Sequence, residues 1–294
     1  MVISPYHLFL AITPSILFAT ASLFFSYYSR QVSPLWMNFI KVFIAQIGFV
    51  ITVLIFKLMT PLSVQDIALM MLSGFVGLFL GDYFLFKSYV TLGPSRTLVL
   101  FGFKPVILAY YGHVFINQSL SKIQAMSVLA LLGCLYFFAQ ERRQEQGQWE
   151  WMPLAVALLG ITLDCFGVIF SREVYETHQE LHPMYANVLR IGGALMGFIG
   201  LRLAGKMQLF RPYWRMERRH QITLAIVCFF GTFVSLSFYL TAIKYTHLTI
   251  MAALGITGPL WITLLESFRS RNLPGKYYFL AMSCFALGLV LLLY

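Results

Sequence analysis

The chain has 294 residues, of which 59% are hydrophobic and 11% are charged, and its formal net charge is +10. Soluble domains carry about 25% charged residues, so this composition excludes an ordinary soluble protein and indicates one that lies in a membrane. The excess of Lys and Arg lies in short segments beside apolar runs, where it suits membrane orientation and anionic lipid headgroups rather than DNA. We therefore expect a lipid bilayer around the chain and no nucleic acid as a partner.

Apolar segments of about 20 residues, long enough to cross roughly 30 Å of hydrocarbon as helices, recur along the chain. Ten are predicted, in chain order, at residues 6–29, 34–58, 66–91, 95–116, 121–140, 151–175, 183–205, 221–246, 248–268 and 274–293. Helices are expected because a barrel would show alternating strands instead. The first segment should remain as a helix, since residues 1–7 lack the Lys or Arg of a cleaved signal peptide. The predicted fold class is an all-α integral membrane protein.

Two blocks of residues recur at fixed spacings and predict a duplication. One block recurs after 149 positions and the other after 154; the matching residues are Pro34, Asn38 and Lys41 with Pro183, Asn187 and Arg190, and Gly77, Phe84 and Pro105 with Gly231, Phe238 and Pro259. The predicted repeats are residues 1–140 and 151–294, joined by a polar linker at 141–150. Each repeat holds five predicted spans, an odd number, so the second would enter the membrane from the opposite side.

Longer stretches resemble a known family. The sequence "YLTAIKYTHLTIMAALGITGPLWITLLE" at residues 239–266 is similar to a helix, short turn and Pro-bearing helix of EamA-type members of the drug/metabolite transporter superfamily. The first repeat has the counterpart "LFKSYVTLGPSRTLVLFGFKPVILAYYG". The resemblance covers the whole chain and implies ten helices in two inverted five-helix repeats. The chain departs from the family pattern at Gln118 and Asn272, where relatives usually have a Glu.

Polar residues inside the predicted spans are candidate ligand contacts, because a charge there costs about 2.5–3.5 kcal/mol and usually faces the bundle interior or a water-filled path. Lys41 and Arg190 either reach back to the membrane surface or point inward and attract an anionic group. Asn38 and Asn187 either bind a ligand or join neighbouring helices. Lys104 ranks first among the ligand contacts, with a structural ion pair as the alternative.

Three residues are candidates for proton coupling. Asp164 and Glu266 are acids inside apolar segments, where a desolvated carboxylate can titrate near neutral pH. The alternative is permanent pairing with Lys104, Lys41 or Arg190. His113 is either a proton relay or a packed core histidine.

Aromatic residues make up 17% of the chain. Four of them inside spans either stack on a planar substrate or pack in the core: Tyr83, Tyr110, Tyr239 and Trp261. Cysteines occur singly in apolar segments, so we expect no disulfide, no metal site and no cofactor. Glycine pairs Gly77 with Gly81 and Gly193 with Gly197 permit close helix packing, within the bundle or in a homodimer.

The sequence predicts a secondary active transporter working by alternating access rather than an enzyme. The chain has no phosphate-binding G-x-x-x-x-G-K-[ST] loop and neither H-E-x-x-H nor G-x-S-x-G, so no catalytic residue is assigned. Embedded cations slightly outnumber acids, which favours a small polar metabolite with a carboxylate, an amino acid or aromatic zwitterion first. The alternatives are an intramembrane enzyme and a channel.

The predicted location is the bacterial inner membrane, with both termini on the same side. The Lys and Arg residues between spans place both termini outside, whereas members of the family that the chain resembles usually have them in the cytoplasm. The two expectations disagree about the absolute orientation.

Overall fold

The computed structural model describes residues 5–116, 121–146, 151–255, 257–271 and 275–293, and these residues form helices and turns with no strand. The helices of the first half are α1 (Pro5–Gln31), α2 (Pro34–Phe56), α3 (Val64–Gly74), α4 (Asp82–Thr91), α5 (Pro94–Leu100), α6 (Lys104–Ile116) and α7 (Lys122–Gln146). A π-helical segment, Phe75–Gly81, joins α3 to α4, and a 3-10 turn, Phe101–Phe103, joins α5 to α6.

The second half has a similar series of helices. They are α8 (Trp151–Thr177), α9 (Pro183–Leu203), α10 (Arg211–Trp214), α11 (Arg218–Cys228), α12 (Ser235–Tyr245), α13 (Leu248–Leu254), α14 (Thr257–Ser270) and α15 (Lys276–Leu293). A second π-helical segment, Phe229–Val234, joins α11 to α12. The prediction of an all-helical fold is confirmed for the described residues.

Seven helical stretches of the described chain are long and apolar enough to cross a membrane. They are Leu8–Gln31, Pro34–Phe56, Val64–Thr91, Trp151–Thr177, Pro183–Leu203, Arg218–Tyr245 and Leu248–Leu265. The fourth, fifth and tenth predicted spans correspond to α5 with α6, to α7 and to α15, which are not among the seven. A 3-10 turn interrupts the fourth, and the apolar part of α7 is the shorter stretch Ala125–Phe137. Ten crossing helices therefore stay a prediction.

The helices recur at the spacing of the sequence blocks. The bounds of α3 and α11 are 154 positions apart at both ends, as are those of α5 and α13. The two π-helical segments also begin 154 positions apart, at Phe75 and Phe229. The same departures from α-helical geometry thus occur at equivalent places in both halves.

The helices α2 and α9 begin in the same way because the sequence provides the same signals. The Ser33 Oγ accepts a hydrogen bond from the Trp36 backbone N at 3.1 Å, and the His182 Nδ1 accepts one from the Met184 backbone N at 3.2 Å. A proline follows each cap at the first helical position, where its missing N–H has no intrahelical partner to lose. These starts fix the register of the polar residues that follow.

Close packing of glycines brings the two halves together. Gly77 lies against Gly167 of α8, and a Cβ at Gly77 would come within 3.4 Å of the Gly167 Cα. On α9, a Cβ at Gly193 would overlap the Met71 carbonyl oxygen, and one at Gly197 would press on the Phe79 ring at 2.6 Å. Both predicted glycine pairs therefore pack within the bundle, where they let α3 and its π-helical segment approach α8 and α9.

Candidate functional site

A cavity lies between the two halves of the chain. Its internal volume is about 120 Å³, somewhat less than the roughly 150 Å³ of an engineered protein cavity that binds benzene. Polar and ionisable residues of both halves line it: Ser15, Lys41, Asp82 and Lys104 from the first, and Asp164, Thr232, Ser235 and Tyr239 from the second. The space therefore fits a molecule of about one ring or one amino acid.

The first charged pair of the cavity joins α2 to α4. The Lys41 Nζ donates a hydrogen bond to the Asp82 Oδ2 at 2.5 Å, and the two side chains are 3% and 9% exposed. The ammonium also lies 4.7 Å from the centre of the Phe86 ring and 5.8 Å from that of Phe18. Lys41 thus points into the bundle, and the alternative that it reaches back to the membrane surface is wrong.

The second charged pair joins the two halves. Lys104, the first residue of α6 after the 3-10 turn, forms an ion pair with Asp164 of α8. The Lys104 Nζ lies 4.3 Å from the centre of the Phe101 ring and 5.8 Å from that of Tyr239. The ion pair that the sequence left as an alternative for Lys104 and Asp164 is present, and it forms part of the cavity wall.

Arg190 is fully buried, with 0% of its surface exposed, so it does not reach back to the membrane surface either. Its Nε donates a hydrogen bond to the Ser73 Oγ at 2.9 Å, and the Ser73 Oγ lies 2.8 Å from the Ser171 Oγ. Neither Nη1 nor Nη2 has a hydrogen-bond partner among the residues that the structure describes. Arg190 therefore differs from Lys41, its counterpart in the repeat, which is held by a carboxylate.

The two repeat-related asparagines fasten helices around the cavity. The Asn38 Nδ2 donates hydrogen bonds to the Leu78 and Phe79 carbonyl oxygens at 2.9 Å and 3.0 Å, both in the first π-helical segment. The Asn187 Nδ2 donates one to the Leu236 carbonyl oxygen at 3.1 Å, just after the second segment. Both donors join neighbouring helices, the alternative to ligand binding, and neither residue lines the cavity.

Of the four aromatic candidates, only Tyr239 lines the cavity. Tyr110 is 65% exposed on the outer side of α6, away from the cavity, which contradicts a role as a substrate contact in this conformation. The Trp261 Nε1 donates a hydrogen bond to the Thr20 Oγ1 at 2.9 Å and so joins α14 to α1. Tyr83 packs against Phe84, with ring centres 5.2 Å apart, outside the cavity wall.

The proton-coupling candidates are separated in the structure. Asp164 lies at the cavity, whereas His113 is exposed on α6, so its interpretation as a packed core histidine is wrong. Glu266 lies in α14, but its side chain falls outside the described residues. Asp82 also lies at the cavity, but it was not among the proton-coupling candidates. The sequence signal that could have found it is the same as for Asp164, a carboxylate in an apolar segment.

A polar cluster at the ends of the membrane-spanning helices also joins the halves. The His178 Nε2 lies 2.9 Å from the Asp66 Oδ2, and its Nδ1 lies 3.1 Å from the Glu180 Oε1. The hydrogen bonds with Asp66 and then Glu180 raise the pKa of His178 above its ordinary value of 6.5. A backbone hydrogen bond and the bond with His178 lower the pKa of Glu180. At acidic to neutral pH a protonated His178 therefore links the start of α3 to the turn after α8.

The structure shows no metal-binding cluster in the part of the chain that it describes: three or more His, Cys, Asp or Glu side chains do not come together there in a way that could hold an ion. The four cysteines are free thiols, and Cys134, Cys165 and Cys228 are buried. The charged groups in the wall of the cavity are two ammonium groups and two carboxylates.

Comparison with known proteins gives one family and one fold. The model of the EamA-like transporter family matches residues 6–140 and again residues 151–294. A search of curated proteins found no match. A crystal structure of a protein superimposes with a TM-score of 0.74 over 97% of this chain and 96% of that one, at 13% identity. At that identity the likeness shows a shared fold only.

Proposed function

Because the chain belongs to the EamA-like transporter family, whose members are membrane transporters of the drug/metabolite type, we propose that it is a secondary active transporter of a small zwitterion. The observation that carries the proposal is the cavity between the halves, which has two lysine–aspartate pairs in its wall. We place the protein in a bacterial inner membrane, with ten helices in two inverted repeats and both termini on the same side.

The charges of the cavity support an amino acid or an aromatic zwitterion as the substrate. A carboxylate is attracted to Lys41 and Lys104, and an ammonium group to Asp82 and Asp164. Apolar and aromatic walls, including Phe101 and Tyr239, suit an uncharged side chain or ring. Each end of the substrate replaces part of an existing ion pair, so neither charge of the pair is left alone in a dry site.

The positions of the two pairs support alternating access as the mechanism of the proposed transporter. The Lys104–Asp164 pair crosses from one half to the other, so rocking of the halves opens or closes it. In the proposed cycle, Asp164 and Asp82 exchange a proton when their lysines bind the substrate. Coupling to a proton gradient would then come from the same residues that hold the ligand.

The test is uptake into liposomes that contain purified protein, with radiolabelled amino acids, the aromatic ones included, as probes. The double variant Lys104→Gln with Asp164→Asn removes both charges of the pair and keeps hydrogen-bonding groups in place. We expect uptake to fall about tenfold or more, since a hydrogen bond to a charged group contributes about 1.5–3 kcal/mol. The matched control is Lys87→Gln, because Lys87 is exposed on α4 and does not line the cavity.

Three outcomes contradict the proposal. Saturable uptake that is equal in the double variant and the wild type would remove the cavity from the mechanism. Conductance that does not saturate would indicate a channel, and chemical conversion of the probe would indicate an enzyme.

A further inference from the structure

Arg190 of α9 is a fully buried cation. No carboxylate lies within 4 Å of its nitrogens in the described part of the chain, although Asp164 and Asp82 are close enough to interact with its charge. The equivalent cation Lys41 has Asp82, whereas the position 154 residues after Asp82 is Leu236. A buried charge without a partner is strongly destabilising. We therefore expect an anion to bind this guanidinium.

Two tyrosines whose hydroxyl oxygens are buried lie on the helices that pack around Arg190. Tyr175 lies one turn after Ser171 on α8, and the Ser171 hydroxyl contacts the Ser73 hydroxyl that binds Arg190. Tyr239 lies one turn after Leu236 on α12, and the Leu236 carbonyl oxygen binds Asn187 one turn before Arg190. Neither tyrosine hydroxyl has a hydrogen-bond partner among the described residues. A guanidinium only donates hydrogen bonds, and a tyrosine hydroxyl donates one. In the described part of the chain, the three side chains together therefore provide hydrogen-bond donors without an acceptor.

The remaining contacts of Arg190 fix its position. Ser73 of α3 accepts the Nε hydrogen bond, and Ser171 holds the Ser73 hydroxyl while donating to the Gly167 carbonyl oxygen at 2.9 Å. This chain of hydrogen bonds leaves the Nη1 and Nη2 groups for another acceptor. An arginine whose Nε is held by a neighbouring residue presents its two Nη groups to a compact anion.

We propose that Arg190, Tyr175 and Tyr239 form a binding site for a compact monovalent anion. The site lies next to the cavity, because Tyr239 belongs to both. The anion is either the carboxylate of the transported substrate or a free halide such as chloride. The first source rests on the proposed function; the second does not.

The experiment measures thermal denaturation of the purified full-length protein in detergent. Sodium chloride or sodium formate replaces sodium gluconate at constant ionic strength, so the shift reports specific binding and not screening. We expect the wild-type melting temperature to rise and saturate with the anion. Tyr175→Phe and Tyr239→Phe should each raise the half-saturating concentration about tenfold, because each removes a hydrogen bond to a charged group.

The matched control is Tyr278→Phe. Tyr278 of α15 is also buried and its hydroxyl also has no partner among the described residues, but α15 packs on α7 and not on the helix of Arg190. This variant should keep the wild-type anion response. Arg190→Gln should abolish the response, and the tyrosine variants keep the test decisive if that protein does not fold.

Stabilisation by both chloride and formate supports a site for a free anion, and stabilisation by formate alone supports a carboxylate subsite. The inference is overturned if neither anion stabilises the wild type, or if Tyr278→Phe weakens binding as much as Tyr175→Phe. Anion binding is measured without transport. A protein that binds the anion but transports no substrate would contradict the proposed function and support this site. A protein that transports substrate but binds no anion would support the proposed function and contradict this site.

Discussion

At the scale of single residues, two cations at equivalent places in the repeats have different surroundings. Lys41 is neutralised by Asp82, and Arg190 is held through its Nε by Ser73 while its other nitrogens have no partner in the described part of the chain. The difference arises because the acid of the first half is replaced by Leu236 in the second. One duplicated position has become part of an ion pair and the other a candidate anion site.

Removing the acid of the first pair should destabilise the protein. In Asp82→Asn, the Lys41 ammonium stays buried without its carboxylate, and we expect a loss of about 3–5 kcal/mol of stability. The combined variant Lys41→Met with Asp82→Leu leaves no buried charge and should recover most of that loss. Thermal denaturation in detergent measures both. A combined variant as unstable as Asp82→Asn would show that the pair is not what destabilises the single variant.

At the scale of the helices, close contact between backbones determines where the halves meet. A Cβ at Gly74 would overlap the carbonyl oxygen of Arg190, so α3 and α9 touch there through backbone atoms. Backbone cannot move aside as the end of a flexible side chain can. The position of Arg190 relative to Ser73 therefore depends on the absence of a side chain at Gly74.

The substitution Gly74→Ala should prevent correct packing of α3 on α9. We expect it to lower the yield of monodisperse protein and the melting temperature, because overpacking costs about 1–3 kcal/mol and here the clash is with backbone. The control is Gly192→Ala, since a Cβ at Gly192 of α9 meets nothing within 4 Å. It should be neutral or slightly stabilising, as alanine favours helix. Equal behaviour of the two variants would contradict the close contact.

Some of this architecture could be predicted from the sequence, and some could not. The helix starts at Pro34 and Pro183 could be predicted, because a helix start depends on local caps that the sequence contains. The π-helical segments could not be predicted, because no local pattern marks them; each carries a glycine packed on a helix distant in sequence, Gly77 on Gly167 and Gly231 on Ala21. The pairing of Lys41 with Asp82 was missed, since which buried charges meet is decided by tertiary structure and not by a local pattern.

At the scale of the whole molecule, the halves are joined by the Lys104–Asp164 pair at the cavity and by His178 at the end of α8. His178 bonds to Asp66 of the first half and to Glu180 of its own. The first contact lies in the wall of the proposed substrate site and the second at the ends of the membrane-spanning helices. Rocking of the halves would change both.

The second contact predicts a pH dependence of stability. Since the pKa of His178 is raised above 6.5 by its carboxylate partners, its contribution is fully present below pH 6.5 and is lost as the pH rises through the raised value. Glu180, whose pKa is lowered, stays charged throughout that range. The melting temperature of the wild type should therefore fall from pH 6 to pH 9 more than that of His178→Gln. His113→Gln, at an exposed position of α6, is the control and should follow the wild type.

The central claim is that the cavity between the halves opens to each side of the membrane in turn. The most direct measurement places one cysteine at Ser15, which lines the cavity, in a protein whose four native cysteines are replaced by alanine. A thiol reagent that does not cross the membrane is then applied from either side of oriented vesicles. Alternating access predicts labelling from both sides, with substrate slowing it on each. Labelling from neither side, or from one side alone under every condition, would contradict the account.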